Sequence, residues 1–243
     1  MNATKRKTRQ ITLTAVLAAV YFVLRSIPTF QMVGVSGRFT AGDFVLTAIA
    51  LTVDLWSAAF AVIIGTALAY AINPPIFFGL DFLPALVNVA IAGLILSNHR
   101  RVALAVYVSV LAAFLASPYS LLFAYSYVPY AWLHLVALII LSSPIAPRVS
   151  KWLVGDGLRQ LVAVAVLALL GTMAQHLAGS LLYEFTVGLV GGVSPSSFEQ
   201  FWRVIFWLYP AERTVLLAMS TLVAVALFRA TGRLGLPREG IAA

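Results

Sequence analysis

The chain has no cysteine among its 243 residues. Disulfides, thiolate metal sites and cysteine nucleophiles are therefore excluded. Charge is also scarce, since charged residues make up 10% of the sequence and hydrophobic residues 62%. A soluble domain of this size has too little interior to hide that much apolar surface, whereas a bilayer solvates it. No G-x-x-x-x-G-K-[ST] stretch occurs, so the chain carries no P-loop, and any ATP energy has to come from a partner. Only three histidines are present. His99, His134 and His176 lie far apart in sequence and away from paired carboxylates, which gives no metal-ligand spacing.

What is present is a series of long, continuous apolar runs. They indicate helices rather than the alternating ten-residue segments of a membrane barrel. The expected class is all-α, a polytopic helical membrane protein of the cell membrane. The expected organisation is a basic segment over 1–9, a single membrane domain over 10–230 and a tail over 231–243. MNATKRKTRQ and the run after it are read as a retained first helix, because Arg25 interrupts the run and no small-residue cleavage site follows. Candidate spans are 10–28, 42–53, 56–72, 82–97, 102–118, 128–143, 159–182 and 204–228. As one helix, 42–72 would be about 46 Å long, against a hydrocarbon core of about 30 Å. A turn at Asp54 resolves the conflict and keeps its carboxylate wet.

Charge placement supports that turn. With an even number of spans, 12 of the 16 basic residues fall on one side, including Lys5, Arg6, Lys7, Arg100, Arg101 and Arg229. The positive-inside rule then places both termini in the cytoplasm with about eight spans, six being the alternative. Basic residues beside apolar runs suit lipid headgroups, not nucleic acid.

Polar residues inside or at the mouths of spans are the candidate functional groups, because they are costly in a membrane and tend to face partners. Arg38, Asp43, Asn73, Asp81 and Asn88 fall on the non-cytoplasmic half, with Tyr127 between Tyr125 and Tyr130. Glu184 follows the 159–182 span. Glu212 and Arg213 lie within the last one, where adjacency on a helix gives each its own partner. Arg25, near the outer end of the first helix, is long enough to snorkel. The aromatic residues suit an interface belt. Together with the charges they also suit a pocket for a small polar or heterocyclic solute. The loops containing INPPIFFGLDF and VGGVSPSSFEQF suit a cap over such a pocket and ordinary loop chemistry equally well.

Two local patterns remain. Gly34-Val35-Ser36-Gly37 has the form of a serine nucleophile, with His176 as a possible base. Its position after the first span, in an external loop beside Arg38, instead fits an ordinary flexible loop. Ala15, Ala18 and Ala19 form a small-residue stretch on the first helix, and small residues four apart allow close approach of another helix.

The order of these features resembles the substrate-capture (S) subunits of energy-coupling factor transporters. The likeness rests on the basic N-terminus, Ala15 and Ala19, and F39-T-A-G42-D43 leading into a short helix. It continues through N73-P-P-I-F-F-G-L-D81-F-L-P84 and the last-span stretch W207-L-Y-P-A-E212-R213. It covers 10–97 and 204–230, and such subunits usually have six helices. The resemblance implies a non-enzymatic protein without a cofactor that binds a small micronutrient from outside. It also implies docking through Ala15, Ala18 and Ala19 to a transmembrane coupling subunit driven by cytoplasmic ATPases. The rivals are an independent proton-coupled secondary transporter, using Glu184 and Glu212, and a rhomboid-like intramembrane serine protease.

Overall fold

The computed structural model describes residues 3–34, 37–125, 127–155 and 157–233. The chain is 76% helical. In order, the elements are α1 (Ala3–Arg25), a hairpin of β1 (Pro28–Gln31) and β2 (Arg38–Thr40), a 3-10 turn (Ala41–Val45), α2 (Leu46–Thr52) and α3 (Leu55–Ala69). Then follow α4 (Leu83–Leu96), α5 (Arg100–Ala116), a small hairpin of β3 (Phe123–Tyr125) and β4 (Val128–Pro129), α6 (Trp132–Ser142) and α7 (Ile145–Leu153). The chain continues as α8 (Gly157–Tyr183), a π-helical stretch (Glu184–Val190) and α9 (Pro195–Arg233).

Each expected span coincides with a helix, but several boundaries differ. Residues 3–9, read from sequence as a basic segment ahead of the first span, are already part of α1. The tail expected from 231 is helical to Arg233, and 234–243 lie outside the described residues. The interval 144–158, expected to be a plain connection, holds α7. Its Ala146, Val149 and Leu153 are buried at helical spacing while Arg148 and Lys151 sit between them in sequence.

By length and composition, Gly157–Val190 and Pro195–Thr231 can cross a membrane, and α6 and α7, meeting at 70°, count as a third if taken as one broken span. These two long helices have different surroundings. The apolar window of α8 is 67% buried, so it is the central post, whereas that of α9 is 22% buried and lies at the periphery. Helix α8 packs along α4, α7, α9, α5 and α6. Helices α2 and α3 diverge after their turn: α2 packs on α9 and α4, whereas α3 packs along α1 and α4.

Helices α1 and α3 pack closely. A β-carbon at Gly65 would come within 2.7 Å of the Ala18 carbonyl oxygen and 2.9 Å of the Tyr21 ring. Ala18 is thus 2% exposed and spent on an internal contact. This corrects its assignment to an outward docking strip. Successive residues on a helix are about 100° apart, so Ala15 and Ala19 face outward while Ala18 turns toward α3.

The break between α2 and α3 is made by Asp54. Its Oδ1 accepts from Trp56 N at 3.0 Å and Ser57 N at 3.1 Å, and its Oδ2 accepts from Ser57 Oγ at 2.7 Å. These bonds satisfy amides that the first turn of a helix leaves without partners. Partial burial opposes ionisation, but the bonds from Ser57 and Trp56 outweigh it and hold the carboxyl below the usual aspartate range. Asp54→Ala is therefore expected to lower stability by about 1 kcal/mol at neutral pH. Because the folded-state pKa is the lower one, the cap's contribution is complete above an unfolded value of about 3.9 and fades as pH falls through the folded value. Denaturation of both proteins across pH 3–7 checks this: the difference between them should shrink only at the acid end.

Candidate functional site

Four segments line one cavity of about 130 Å³: the β1–β2 hairpin, residues 76–85, and the facing sides of α8 and α9. The hairpin is held by backbone bonds from Met32 N to Gly37 O and Ala41 N to Ile27 O, both 2.9 Å. Tyr183 at the end of α8 ties it down from below, its hydroxyl donating to Val33 O at 3.0 Å. Gly34 permits that contact, with φ +78° and only 2.5 Å between an added β-carbon and the Tyr183 oxygen.

The second wall depends on Asp81. Its carboxylate accepts from Ile76 N at 3.0 Å and Phe77 N at 3.1 Å, which folds the N73-P-P-I-F-F-G-L-D81 segment back on itself. Arg25 donates to the Asp81 carbonyl oxygen at 3.1 Å and points its other terminal nitrogen at Tyr21 Oη, 3.4 Å away. Arg25 therefore lines the cavity rather than snorkelling outward.

Asp43, in the 3-10 turn, forms the floor. Its Oδ1 accepts from Gln175 Nε2 at 2.6 Å, and Gln175 Oε1 accepts from Asn88 Nδ2 at 2.8 Å. The Asp43 carbonyl also accepts from Ser220 Oγ of α9 at 3.2 Å. Asp43, Gln175 and Asn88 are all buried, so their polar atoms depend on one another. Along the opposite wall, Arg213 is 2% exposed and its guanidinium carbon sits 4.8 Å above the Phe39 ring. One terminal nitrogen lies 3.4 Å from Glu212 Oε2, and Nε has no partner. The neighbouring pair thus meet each other, contrary to the separate partners expected from helix geometry; their long side chains bridge what the backbone separates.

Of the sequence candidates, Arg38, Asp43, Asp81, Glu212 and Arg213 line this cavity. Asn88 does not reach it and instead holds Gln175, which does. Asn73 is exposed, and Tyr127 is 91% exposed at the β3–β4 hairpin; neither lines the cavity. Glu184 is buried in the π-helical stretch, away from the lining. Neither of its carboxylate oxygens has a hydrogen-bond partner. Trp202 Nε1, nearby, donates instead to Tyr119 O at 2.8 Å. Tyr130, grouped with an interface belt, is fully buried against Phe114, Trp202 and Tyr209. Ser36 lies outside the described residues.

Sequence reading passed over Gln175 as a functional group. The signal was present: an amide beside a histidine within the apolar run of α8 requires a polar partner. It also missed the ring cluster in which His176 takes part. His176 Nδ1 is 3.2 Å from His134 Nε2, and both rings stack with Tyr209 at centroid distances of 5.1 and 5.9 Å. Among the described residues, no three of His, Cys, Asp and Glu form a group able to hold a metal ion.

No family model matches the chain, and neither does any curated protein or solved structure.

The arrangement provides a small, partly open volume with aromatic walls, a buried cation and a fixed acceptor. It can hold and orient a solute. Gln175→Leu should leave Asp43 and Asn88 buried without their shared partner, a loss of about 2–4 kcal/mol. Thermal unfolding in detergent checks this, and Gln175→Leu melting with the unaltered protein would show that the amide bridge contributes little.

Proposed function

We propose that the chain is a multi-pass protein of the cell membrane that captures a small, vitamin-like or heterocyclic solute on the non-cytoplasmic side. The observation that carries the reading is the cavity under the β1–β2 hairpin, where Arg38 and Asp43 meet Asp81 and Arg213 from distant parts of the sequence. A lined cavity with a few convergent polar groups is the usual form of a small-molecule site.

About eight spans with both termini cytoplasmic is the proposed topology. It is supported by charge placement and by the apolar side chains on the outer surface, such as Phe60, Trp207, Leu222 and Ile139. An exposed apolar perimeter of this extent suits lipid contact. The hairpin then acts as a lid on the non-cytoplasmic half, with Tyr183 as its latch.

The resemblance to energy-coupling factor S subunits supplies the proposed mode of uptake. In that mode the chain is not an enzyme and hands its solute inward by docking to a transmembrane coupling subunit with cytoplasmic ATPases. Ala15 and Ala19 are exposed on α1 beside Ile11, Val16, Val20 and Val23, a smooth apolar face suited to another helix.

One observation favours a second reading. Glu184 is buried with both carboxylate oxygens unpartnered, a state suited to a proton-carrying group in a secondary transporter. Uptake that persists without ATPase partners and collapses with the proton gradient supports that reading.

Gentle extraction from the source membrane followed by native mass spectrometry tests the primary proposal. A retained small molecule together with coupling and ATPase subunits is the expected result. Ala15→Leu/Ala19→Leu should remove those subunits while leaving the solute bound. A bare chain, free of both solute and partners, would count against capture and against the ATP-driven mode alike.

A further inference from the structure

Resting on the solute-capture reading, we infer that the solute is a single-ring molecule carrying one carboxylate, and that Arg213 is the group that selects it. A guanidinium offers five N–H donors. The Arg213 side chain, 2% exposed, has one long contact to Glu212 and no partner at Nε. Its guanidinium rests on the Phe39 ring, and a cation withdrawn from water with a donor left unpaired is costly unless an anion completes it. Arg213 lines the cavity, and the planar fork of a guanidinium matches a carboxylate in two parallel hydrogen bonds.

Arg38, the lining cation on β2, is exposed to water, whereas Asp81, Arg25 and Asp43 are held by partners within the protein. The Asp81 carboxylate is taken up by two backbone amides, and Arg25 by the Asp81 carbonyl and Tyr21. Asp43 receives Gln175 at 2.6 Å. Glu212, with 18% side-chain exposure against 2% for Arg213, is the weakly held partner that an incoming carboxylate displaces.

Size sets the remainder of the molecule. At about 130 Å³ the cavity is slightly smaller than an engineered cavity of about 150 Å³ that accepts benzene. Phe39, Phe77, Tyr183 and Trp202 line it, and so does His176, whose ring belongs to the stack with Tyr209. One planar ring fills the sheltered part of the cavity, and any larger part of a solute would have to extend through its open side.

The test compares benzoate with benzamide, and pyridine-3-carboxylate with its amide, by calorimetric titration of the full-length protein in lipid nanodiscs. The ring and shape stay constant within each pair while the charge changes. Carboxylates should bind about 10–100-fold more tightly than amides, the range expected for charge-assisted bonds. Arg213→Gln should abolish that preference. Glu212→Gln, which leaves the buried cation in place, should tighten carboxylate binding by about threefold, and it keeps the test informative if Arg213→Gln does not fold. Equal binding of carboxylate and amide overturns the inference, and so does weaker carboxylate binding in Glu212→Gln. If neither class binds, the solute retained through native extraction decides. A single-ring acid upholds the inference. A retained molecule without a carboxylate, or with more than one ring, overturns it and leaves solute capture standing. An empty protein removes both.

Discussion

Asp43 is the point on which the other elements depend. It stands in a 3-10 turn between a surface hairpin and the short helix α2, in a position that brings a carboxylate into the packed interior. Its side chain takes a hydrogen bond from Gln175 of α8, and its main chain takes one from Ser220 of α9. Through Gln175 it is joined to Asn88 of α4. Four separate parts of the chain are therefore registered by one residue and its immediate partners. In an interior of low polarity, each of these bonds is stronger than in water, and the loss of any partner leaves the others exposed to the full desolvation penalty. The glycine at 171 fits the same node: a β-carbon there would lie 2.5 Å from Asn88 Oδ1. The small residue on α8 lets α4 bring its amide into line with Gln175.

The cavity follows from this registration. Helix α2 is too short to fill the space above it, so the hairpin and the Asp81-stapled segment close over the gap. Their backbone polar groups are satisfied locally, which irregular chain requires wherever it is sheltered from water. Tyr130, Trp202, Phe206 and Phe114 form a continuous aromatic cluster between the β3–β4 hairpin and α9, and Trp202 carries it to the cavity. That rigid block supports the wall on which Arg213 and Glu212 stand. The β1–β2 hairpin itself is joined to α8 and α9 by the Tyr183 hydroxyl and by the Arg213 contact with Phe39.

Much of the helical framework was legible because apolar runs and the length limit of a membrane helix speak directly. The break at Asp54 was readable from arithmetic alone, and its capping bonds give the chemical reason. Helix α7 was equally available, through the spacing of Ala146, Val149 and Leu153, but its basic residues disguised it as a connection. The site was only partly readable. Arg38, Asp43, Asp81, Glu212 and Arg213 stand out as polar groups in apolar surroundings, and all five line the cavity. Asn73 and Tyr127 stand out for the same reason yet sit at exposed turns, since the sequence does not say which way a loop residue turns. The meeting of His134 with His176 depends on how α6 leans on α8, and no periodicity within either helix encodes that. Glu184 looked like one more mouth residue until the π-helical winding carried it inward.

The absence of native cysteine makes the central claim directly measurable. Ser180 lines the cavity from α8, just below the tyrosine latch, so Ser180→Cys introduces a single thiol inside the proposed solute site. A small, membrane-impermeant thiosulfonate applied to intact cells should modify it from the non-cytoplasmic side, and a bound solute should slow the reaction. Modification only after the cytoplasmic face is opened, or at a rate that no solute affects, would contradict the account.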